Sequence, residues 1–409
     1  MQMTEAKVLE ALFRTPAHPH WGGDPAHLSV GLELEYVIHR KGNPDALMRK
    51  EGFTAFLREM EAYGYGPHPG APESHYRMSK DTPPGFVVIK PDFAFHILEI
   101  ALPVRSCPGE LRALIDGLLI EVDSALEYLG YERFTRGVCE GAAYCDFDLV
   151  NLKGHAELVA ALKSNTAHEV WDSCFPAYIS STQVHLNVLE PLTFTQLARW
   201  YELEWIFSLS FSDAMAWRGR LLNDARPLFY NNTFGEGFPL AGVPAEIPTS
   251  AAHYAEMVNQ TLGVFPQNAD FPVREYSSIR PRMFGSVEFR SASTQENTDR
   301  ILELVAFRIL QCLYGYEYAD TPIREGNWQR ELIYAICEGR TLSADQKQLR
   351  DASLSRLIGV VPHVPARWRE ILEMSPVFRD LREEMPWAEA ASWNLKTAAD
   401  VFRHRLASH

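Results

Sequence analysis

Cysteine is scarce in this sequence, and long apolar runs are missing. Six cysteines occur among 409 residues, and no two of them form a C-x-x-C pair. A sparse, unspaced set of this kind argues against a disulfide-rich secreted scaffold. No uncharged apolar run is long enough to cross a bilayer, and the first residues show no basic segment before an apolar stretch. These absences predict a cytoplasmic protein.

Positive charge is also in deficit. Asp and Glu number 53 against 39 for Lys and Arg, which gives a formal net charge of -14. This balance argues against a general nucleic-acid binder and against docking on anionic membranes. We therefore expect small-molecule partners, and a homo-oligomer is compatible with the sequence. The chain is long enough for one large domain or two ordinary ones.

Several catalytic and phosphate-binding motifs are missing as well. The sequence contains no Walker motif G-x-x-x-x-G-K-[ST], no G-x-G-x-x-G after a predicted strand, no G-x-S-x-G and no H-E-x-x-H. If the protein binds a nucleotide, its phosphates must therefore be held by metal ions and arginines rather than by a glycine-rich loop.

The stretch 31–38 reads Gly-Leu-Glu-Leu-Glu-Tyr-Val-Ile, and its strict alternation predicts a β-strand. Leu32 and Leu34 would share one face, and Glu33 and Glu35 the other. Two neighbouring carboxylates repel each other, so a compensating cation is expected, with a divalent metal as the first candidate. The alternative is that this face is simply solvated, as in many antiparallel sheets.

Three later predicted strands also carry ionisable side chains on the face opposite their apolar face. They are residues 94–102 with Glu99, residues 178–189 with His185, and residues 280–291 with Glu288 and Arg290. Taken alone, a strand histidine is more often structural, and a Glu-x-Arg pair is more often a surface pair. Carboxylates with a single imidazole favour magnesium or manganese over zinc, and magnesium usually bridges to phosphates. Together the four strands predict a site for a metal and a nucleotide.

The remaining pattern predicts helices, short strands and two long loops. The loop 226–248 is rich in Gly, Pro and Asn and is predicted to be a lid. The other predicted elements are helices at 4–14, 52–63, 110–129, 155–163, 193–220 and from 296 to the end, strands at 86–90 and 131–138, and a surface loop at 64–85.

Four short motifs, in this order and spacing, resemble the glutamate-cysteine ligase family of carboxylate-amine ligases. The resemblance covers roughly residues 28–315, and the motifs are Gly31-Leu-Glu-Leu-Glu-Tyr36, Leu98-Glu99-Ile100, Ser181-Thr-Gln-Val-His-Leu-Asn187 and Ser286-Val-Glu-Phe-Arg290. It implies an α+β fold similar to glutamine synthetase, in which a curved, mainly antiparallel sheet forms a funnel with helices packed behind it. A catalytic domain would span 1–315, and 316–409 would be a helical extension packed on it.

The resemblance also implies a reaction. A carboxylate, most simply that of glutamate, would attack the γ-phosphate of ATP, and an amine would displace phosphate from the acyl phosphate to leave an amide. Two or three magnesium ions would assist. The resemblance implies that Glu33, His185 and Glu288 hold a metal near the γ-phosphate, and that Glu35 and Glu99 hold a metal nearer the acid. Arg290 would contact the transferring phosphoryl group. Arg274, Arg280 and Arg282 are candidates to bind a substrate carboxylate or a phosphate, and Asp92 is a further candidate for the site.

Two other functions fit the same residues less well. Guanidino kinases look distantly related in fold and need only ATP, magnesium and arginines, but the Glu-x-Glu strand favours a ligase. A catalytically silent binding protein would have no use for acidic side chains on four strands, since buried carboxylates without partners destabilise a fold.

Overall fold

A ten-stranded antiparallel sheet is the main feature of the fold. A computed structural model describes residues 4–12, 28–72, 76–138, 147–150, 160, 177–187, 193–217, 220–228, 230, 238–264, 277–282, 285–322 and 326–383. The strands are β1 (Val30–Arg40), β2 (Asn43–Leu47), β3 (Gly66–Pro67), β4 (Met78–Thr82), β5 (Gly85–Pro91), β6 (Ile97–Arg105), β7 (Tyr131–Phe134), β8 (Thr182–Asn187), β9 (Met215–Trp217), β10 (Arg220–Leu222), β11 (Ile279–Arg282) and β12 (Ser286–Phe289). Strands β9 and β10 form a separate hairpin.

Strand β1 lies at the centre of this sheet. The strand order is β11-β12-β8-β1-β6-β5-β4-β3, and β2 and β7 also pair with β1. Each of these pairs is antiparallel. Within the described residues the edge strands β11 and β3 do not pair with each other, so the sheet is open rather than closed into a barrel.

Helices cover the apolar face of the sheet. Leu32, Leu34 and Tyr36 of β1 are buried in one hydrophobic cluster with side chains of most of the helices. The helices are α1 (Glu5–Leu12), α2 (Lys50–Met60), α3 (Pro108–Tyr128), α4 (Phe194–Tyr201), α5 (Glu204–Ser210), α6 (Ala251–Val264), α7 (Thr298–Glu317), α8 (Trp328–Cys337), α9 (Ala344–Val360), α10 (Ala366–Met374) and α11 (Pro376–Glu383). The predicted combination of a mainly antiparallel sheet with packed helices is confirmed.

Helix α3 shows how local sequence sets the ends of an element. Pro108 stands in its first turn, where a missing backbone N–H costs no helical hydrogen bond. Gly130 follows its last turn with φ of 75°, a left-handed conformation that suits glycine. The predicted helix over 110–129 with a stop at Gly130 is therefore confirmed.

The single helix predicted over 193–220 is wrong. The chain forms α4 and α5, separated at Glu202 and Leu203, and then the β9–β10 hairpin. Glu202 is buried and accepts a 2.8 Å hydrogen bond from the Tyr314 hydroxyl, so the break leaves a polar group satisfied inside the core. An apolar-rich run without clear period does not distinguish a helix from a short buried strand.

Two more predictions need correction. The strand predicted over 280–291 is a hairpin of β11 and β12, because Gly285, with φ of 75°, turns the chain between them. The surface loop predicted over 64–85 contains β3 and β4, which extend the sheet beyond β5. The helix predicted over 155–163 lies outside the described residues, apart from residue 160.

The polar face of the sheet has a small apolar cluster at one end. Val37 and Ile97 face each other across β1 and β6 and pack with Phe93, Ala94 and Phe238. This pair is next to the pair of Glu35 and Glu99 on the same face of β1 and β6. Among the described helices, none combines the length and apolar character needed to cross a membrane.

Candidate active site

Strand pairing places the predicted polar residues side by side on one face. Glu288 of β12 is opposite His185 of β8, and Glu35 of β1 is opposite Glu99 of β6. Glu33 shares the face of Glu35 because strand side chains alternate. The four separately predicted strands therefore contribute to one continuous charged surface.

Glu33, His185 and Glu288 form the tightest group on this surface. One ligand atom from each lies within 4.8 Å of the other two. Glu33 Oε1 is 3.5 Å from His185 Nε2. A magnesium ion holds its ligands at about 2.0–2.1 Å, so atoms on opposite sides of the ion are ~4.2 Å apart. The three residues fit a divalent ion after a small contraction, and their oxygen-rich chemistry suits magnesium or manganese.

Three arginines converge on Glu288. Its carboxylate is 2.6 Å from Arg280 Nη2, 3.0 Å from Arg282 Nη1 and 3.1 Å from Arg290 Nε. Burial opposes ionisation of Glu288, but these cations outweigh it and lower its pKa to about 2. Counting Glu33, whose ligand atom lies within 4.8 Å of that of Glu288, three arginines face two carboxylates, and the excess of positive charge favours a bound anion such as a phosphate.

His185 and nearby cations lower the pKa of Glu33, as the arginines lower that of Glu288. Desolvation raises the pKa of Glu33, but the hydrogen bond and charge of His185, with Lys90 and Arg282, hold it well below the usual value. Glu33 is thus a carboxylate in the neutral pH range, as a metal ligand must be.

Glu35 and Glu99 have a different environment. Burial, with the charges of Asp92 and of Glu99, raises the pKa of Glu35 to about 8. Burial likewise raises the pKa of Glu99 to about 7, although Lys90 opposes this. Lys90 itself keeps its proton, because the attraction of Glu99, Asp92 and Glu33 raises its pKa against the effect of burial. This part of the surface is crowded with acidic groups around one ammonium.

The backbone beneath Arg290 is held by a second arginine. Arg226 is buried and donates to the carbonyl oxygens of Arg290 at 2.9 Å and Ser291 at 2.8 Å. The Arg290 amide donates to the Ser278 carbonyl oxygen at 2.8 Å. Arg290 therefore projects from a fixed strand end rather than from a loose loop, and Tyr230 lines a small cavity beside it.

The fold agrees with solved structures of amide-forming ligases. Glutamate-cysteine ligase from Francisella tularensis, solved in complex with AMP, superimposes with a TM-score of 0.57 at 11% identity, over 93% of this chain and 89% of that chain. The fold is similar to that of this glutamate-cysteine ligase. A bifunctional glutathione synthetase from Pasteurella multocida gives a TM-score of 0.53 at 13% identity, over 100% of this chain. This chain spans about half of that protein, 54% of its length. No protein-family model and no curated protein matches the sequence.

The glutamate-cysteine ligase fold confirms, at the level of structure, the resemblance carried by the four short motifs. It does not by itself assign residue roles. Of the predicted residues, Arg274 lies outside the described residues, and Asp92 follows β5, with its amide donating to the Ile97 carbonyl oxygen at 3.0 Å. Glu33, Glu35, Glu99, His185, Glu288, Arg280, Arg282 and Arg290 share the charged surface.

Sequence reasoning missed Lys90 and Arg226. Lys90 belongs to the predicted strand 86–90, and its place opposite Glu99 follows only from the register between β5 and β6. Arg226 opens the predicted loop 226–248, where a sequence pattern assigns no direction to a side chain. In the structure Lys90 contacts the side chain of Glu99, and Arg226 contacts the backbone of Arg290.

Proposed function

We propose that the protein is an ATP-dependent carboxylate-amine ligase. It activates the carboxylate of glutamate or a similar acid as an acyl phosphate and joins it to an amine, which is cysteine or another amino acid, with release of ADP and phosphate. The observation that carries this proposal is the contact between the Glu33, His185 and Glu288 group and three arginines. A metal position beside an anion position is what phosphoryl transfer requires.

Each group has a proposed role. Glu33, His185 and Glu288 would hold magnesium or manganese, and the bound ion would neutralise charge on the phosphates. Arg280 and Arg282 hold nonreacting phosphate oxygens. Arg290 contacts the transferring phosphoryl group, where its planar guanidinium bridges two oxygens. Because Arg226 fixes the Arg290 backbone, this donor is positioned before the substrate arrives.

We also propose the finer features that the resemblance implies. The sheet is of the glutamine synthetase class, its charged face forms a funnel, and residues 1–315 form the catalytic unit. The helices after residue 315 extend the same domain, since Leu354, Trp368 and Phe378 belong to the same hydrophobic cluster as β1. A cytoplasmic location and small-molecule partners complete the proposal.

Incubation of the protein with ATP, magnesium, glutamate and a panel of amines tests this function. We expect ADP release that depends on both acid and amine, with an amide detected by mass spectrometry. The Glu288→Gln variant, which removes the carboxylate charge at the same size, should lose this activity. Release of AMP would contradict the acyl phosphate route, and a stable phosphorylated product without an amide would favour a phosphotransferase.

Residues 226–248 are proposed as a lid that excludes water from the acyl phosphate, which would otherwise hydrolyse. Residues 229 and 231–237 of this segment lie outside the described residues, and Arg226 and Tyr230 line the cavity beside Arg290. We expect proteolysis within the segment to slow when ATP and the acid are both present. Equal cutting rates with and without ligands would remove the lid from the proposal.

A further inference from the structure

Lys90 lies inside the acidic part of the charged surface. On β5 it is opposite Glu99 of β6, and Glu99 is in turn opposite Glu35 of β1, so the three side chains form a row across three strands. Lys90 Nζ is 2.5 Å from Glu99 Oε2, and the Lys90 side chain is only 19% exposed. The Lys90 ammonium therefore lies at the position where the resemblance implies a second metal ion, on Glu35 and Glu99.

Glu35 is already engaged by hydrogen-bond donors. Its Oε2 accepts from the Ser181 amide at 2.9 Å and from the Ser181 hydroxyl at 2.7 Å, and its Oε1 accepts from Gln183 Nε2 at 2.5 Å. A carboxylate has about four acceptor positions, so three of those on Glu35 are used. Protein donors therefore hold Glu35 in place, and about one of its acceptor positions remains for a cation.

The two carboxylate groups therefore differ in their fit to a metal. Among the described residues, the ligand atoms of Glu33, His185 and Glu288 meet the distance requirement for one ion, and those of Glu35 and Glu99 belong to no such group of three. A cation entering between Glu35 and Glu99 would have to displace the Lys90 ammonium or lie beside it. Two positive charges about 4 Å apart in a buried site repel by several kcal/mol.

We propose that the Lys90 ammonium replaces a second divalent cation, so that the nucleotide-free protein binds one divalent ion per chain, at Glu33, His185 and Glu288. The position of that one ion rests on the proposed function. The ammonium neutralises Glu99 and donates hydrogen bonds without the ligand geometry that a metal demands. The resemblance alone implies a metal on Glu35 and Glu99, and the contacts of Lys90 argue against it.

Counting bound manganese tests this inference. The nucleotide-free protein is titrated with Mn²⁺, and free Mn²⁺ is followed by electron paramagnetic resonance. We expect one ion per chain in the parent and two in Lys90→Met, which keeps the side-chain volume and removes the charge. The matched control is Lys80→Met, because Lys80 of the adjacent strand β4 forms a similar 2.6 Å ion pair with Glu121 away from the site. This control should bind one ion.

Glu99→Gln provides a second test that does not depend on the folding of Lys90→Met. It should leave the count at one, since Glu99 holds no ion in the parent. Two ions in the parent, or a loss of one ion in Glu99→Gln, would overturn the inference and leave the proposed ligase intact. No gain in a folded Lys90→Met would also overturn it. A parent that binds no Mn²⁺ would overturn both the inference and the metal site of the proposed function.

Discussion

Two buried charge clusters lie on opposite faces of β12, and they are built differently. On the site face, Glu288 meets Arg280, Arg282 and Arg290. On the helix face, Glu204 of α5 pairs with Arg308 of α7. In the first cluster three guanidinium groups contact one carboxylate, whereas in the second one guanidinium group pairs with one carboxylate.

Neutral side chains also contact the ion pair of the helix-face cluster. Arg308 donates to Ser291 Oγ at 2.6 Å and to Gln311 Oε1 at 2.7 Å, and its guanidinium lies 3.2 Å from the Phe207 ring centroid. Gln311 donates to Glu204 Oε1 at 2.7 Å. An ion pair that is balanced in charge needs no counter-ion, so we assign this cluster to stability. We propose that an anion completes the unbalanced cluster, and we assign this cluster to function.

The largest expected effect is on stability and comes from breaking the helix-face pair. Arg308→Met leaves Glu204 buried without its cation, and loss of one partner of a buried pair typically costs about 3–5 kcal/mol of unfolding free energy. Urea unfolding followed by circular dichroism measures this. The control is Arg379→Met, whose side chain is 65% exposed and whose pairing should matter little. Equal midpoints for the two variants would show that the cluster does not stabilise the fold.

The buried His96 is predicted to make the stability of the fold depend on pH. His96 is fully buried, its Nε2 donates to the Ala177 carbonyl oxygen at 2.5 Å, and burial lowers its pKa to about 4. Its unfolded pKa is about 6.5, so between these values the unfolded chain binds more protons and stability falls as pH falls. The shift corresponds to about 3 kcal/mol between pH 6.5 and 4.

His96→Gln keeps a donor for Ala177 and removes this titration. Denaturant unfolding at pH 7 and at pH 4.5 should show a smaller loss of stability in the variant than in the parent. The same loss in both proteins would mean that His96 does not contribute to the acid sensitivity.

The site-face cluster is tested through turnover. Arg290→Lys keeps the charge and loses the planar fork, so we expect ATP binding within a few-fold of the parent and a loss of about a hundredfold or more in turnover, which corresponds to ~2.7 kcal/mol. Calorimetry with ATP and steady-state ADP release measure the two quantities. Lost ATP binding with intact turnover at saturation would make Arg290 a ground-state clamp for the nucleotide.

The smallest expected effect comes from Ser291, which is next to Arg290 in the chain and contacts the helix-face cluster. Ser291 follows Arg290, and its hydroxyl contacts both Glu204 and Arg308. Ser291→Ala removes these hydrogen bonds, so we expect a loss of about 1–2 kcal/mol in unfolding free energy. Turnover per folded molecule should stay within a few-fold of the parent. A large loss of turnover with little loss of stability would show that the helix-face cluster acts on the site through Ser291.

The parts of the fold that could be predicted are those with a strict period. Residues 31–36 alternate because one face of β1 packs in the hydrophobic cluster with the helices and the other carries charged side chains, and this alternation identified Glu33 and Glu35. Residues 193–220 could not be predicted, since both helices and the hairpin there are rich in apolar residues. The ion pair of Lys90 with Glu99 depends on strand register, which local pattern does not determine.

The shared face of the site residues could be predicted because most of them lie on strands in which apolar and polar residues alternate clearly. His185 and Glu288 were both expected on the polar face, and pairing of β8 with β12 brings them opposite each other. The three arginines on one carboxylate were not expected as a group. Arg280 and Arg290 lie on either side of the turn at Gly285, which the prediction of one strand over 280–291 did not contain.

The position of β1 has a consequence for insertions and deletions. Strand β1 pairs with β2, β6, β7 and β8 along its two edges, and the register of pairing is irregular near Val30 and near His39. A one-residue deletion between these points would reverse the facing of the residues on one side of it, so that a carboxylate there would turn toward the helices and a leucine toward the charged surface, and no single neighbour could shift to correct it. We therefore expect chain-length variation among natural relatives to avoid this strand and to collect in the connections outside the sheet.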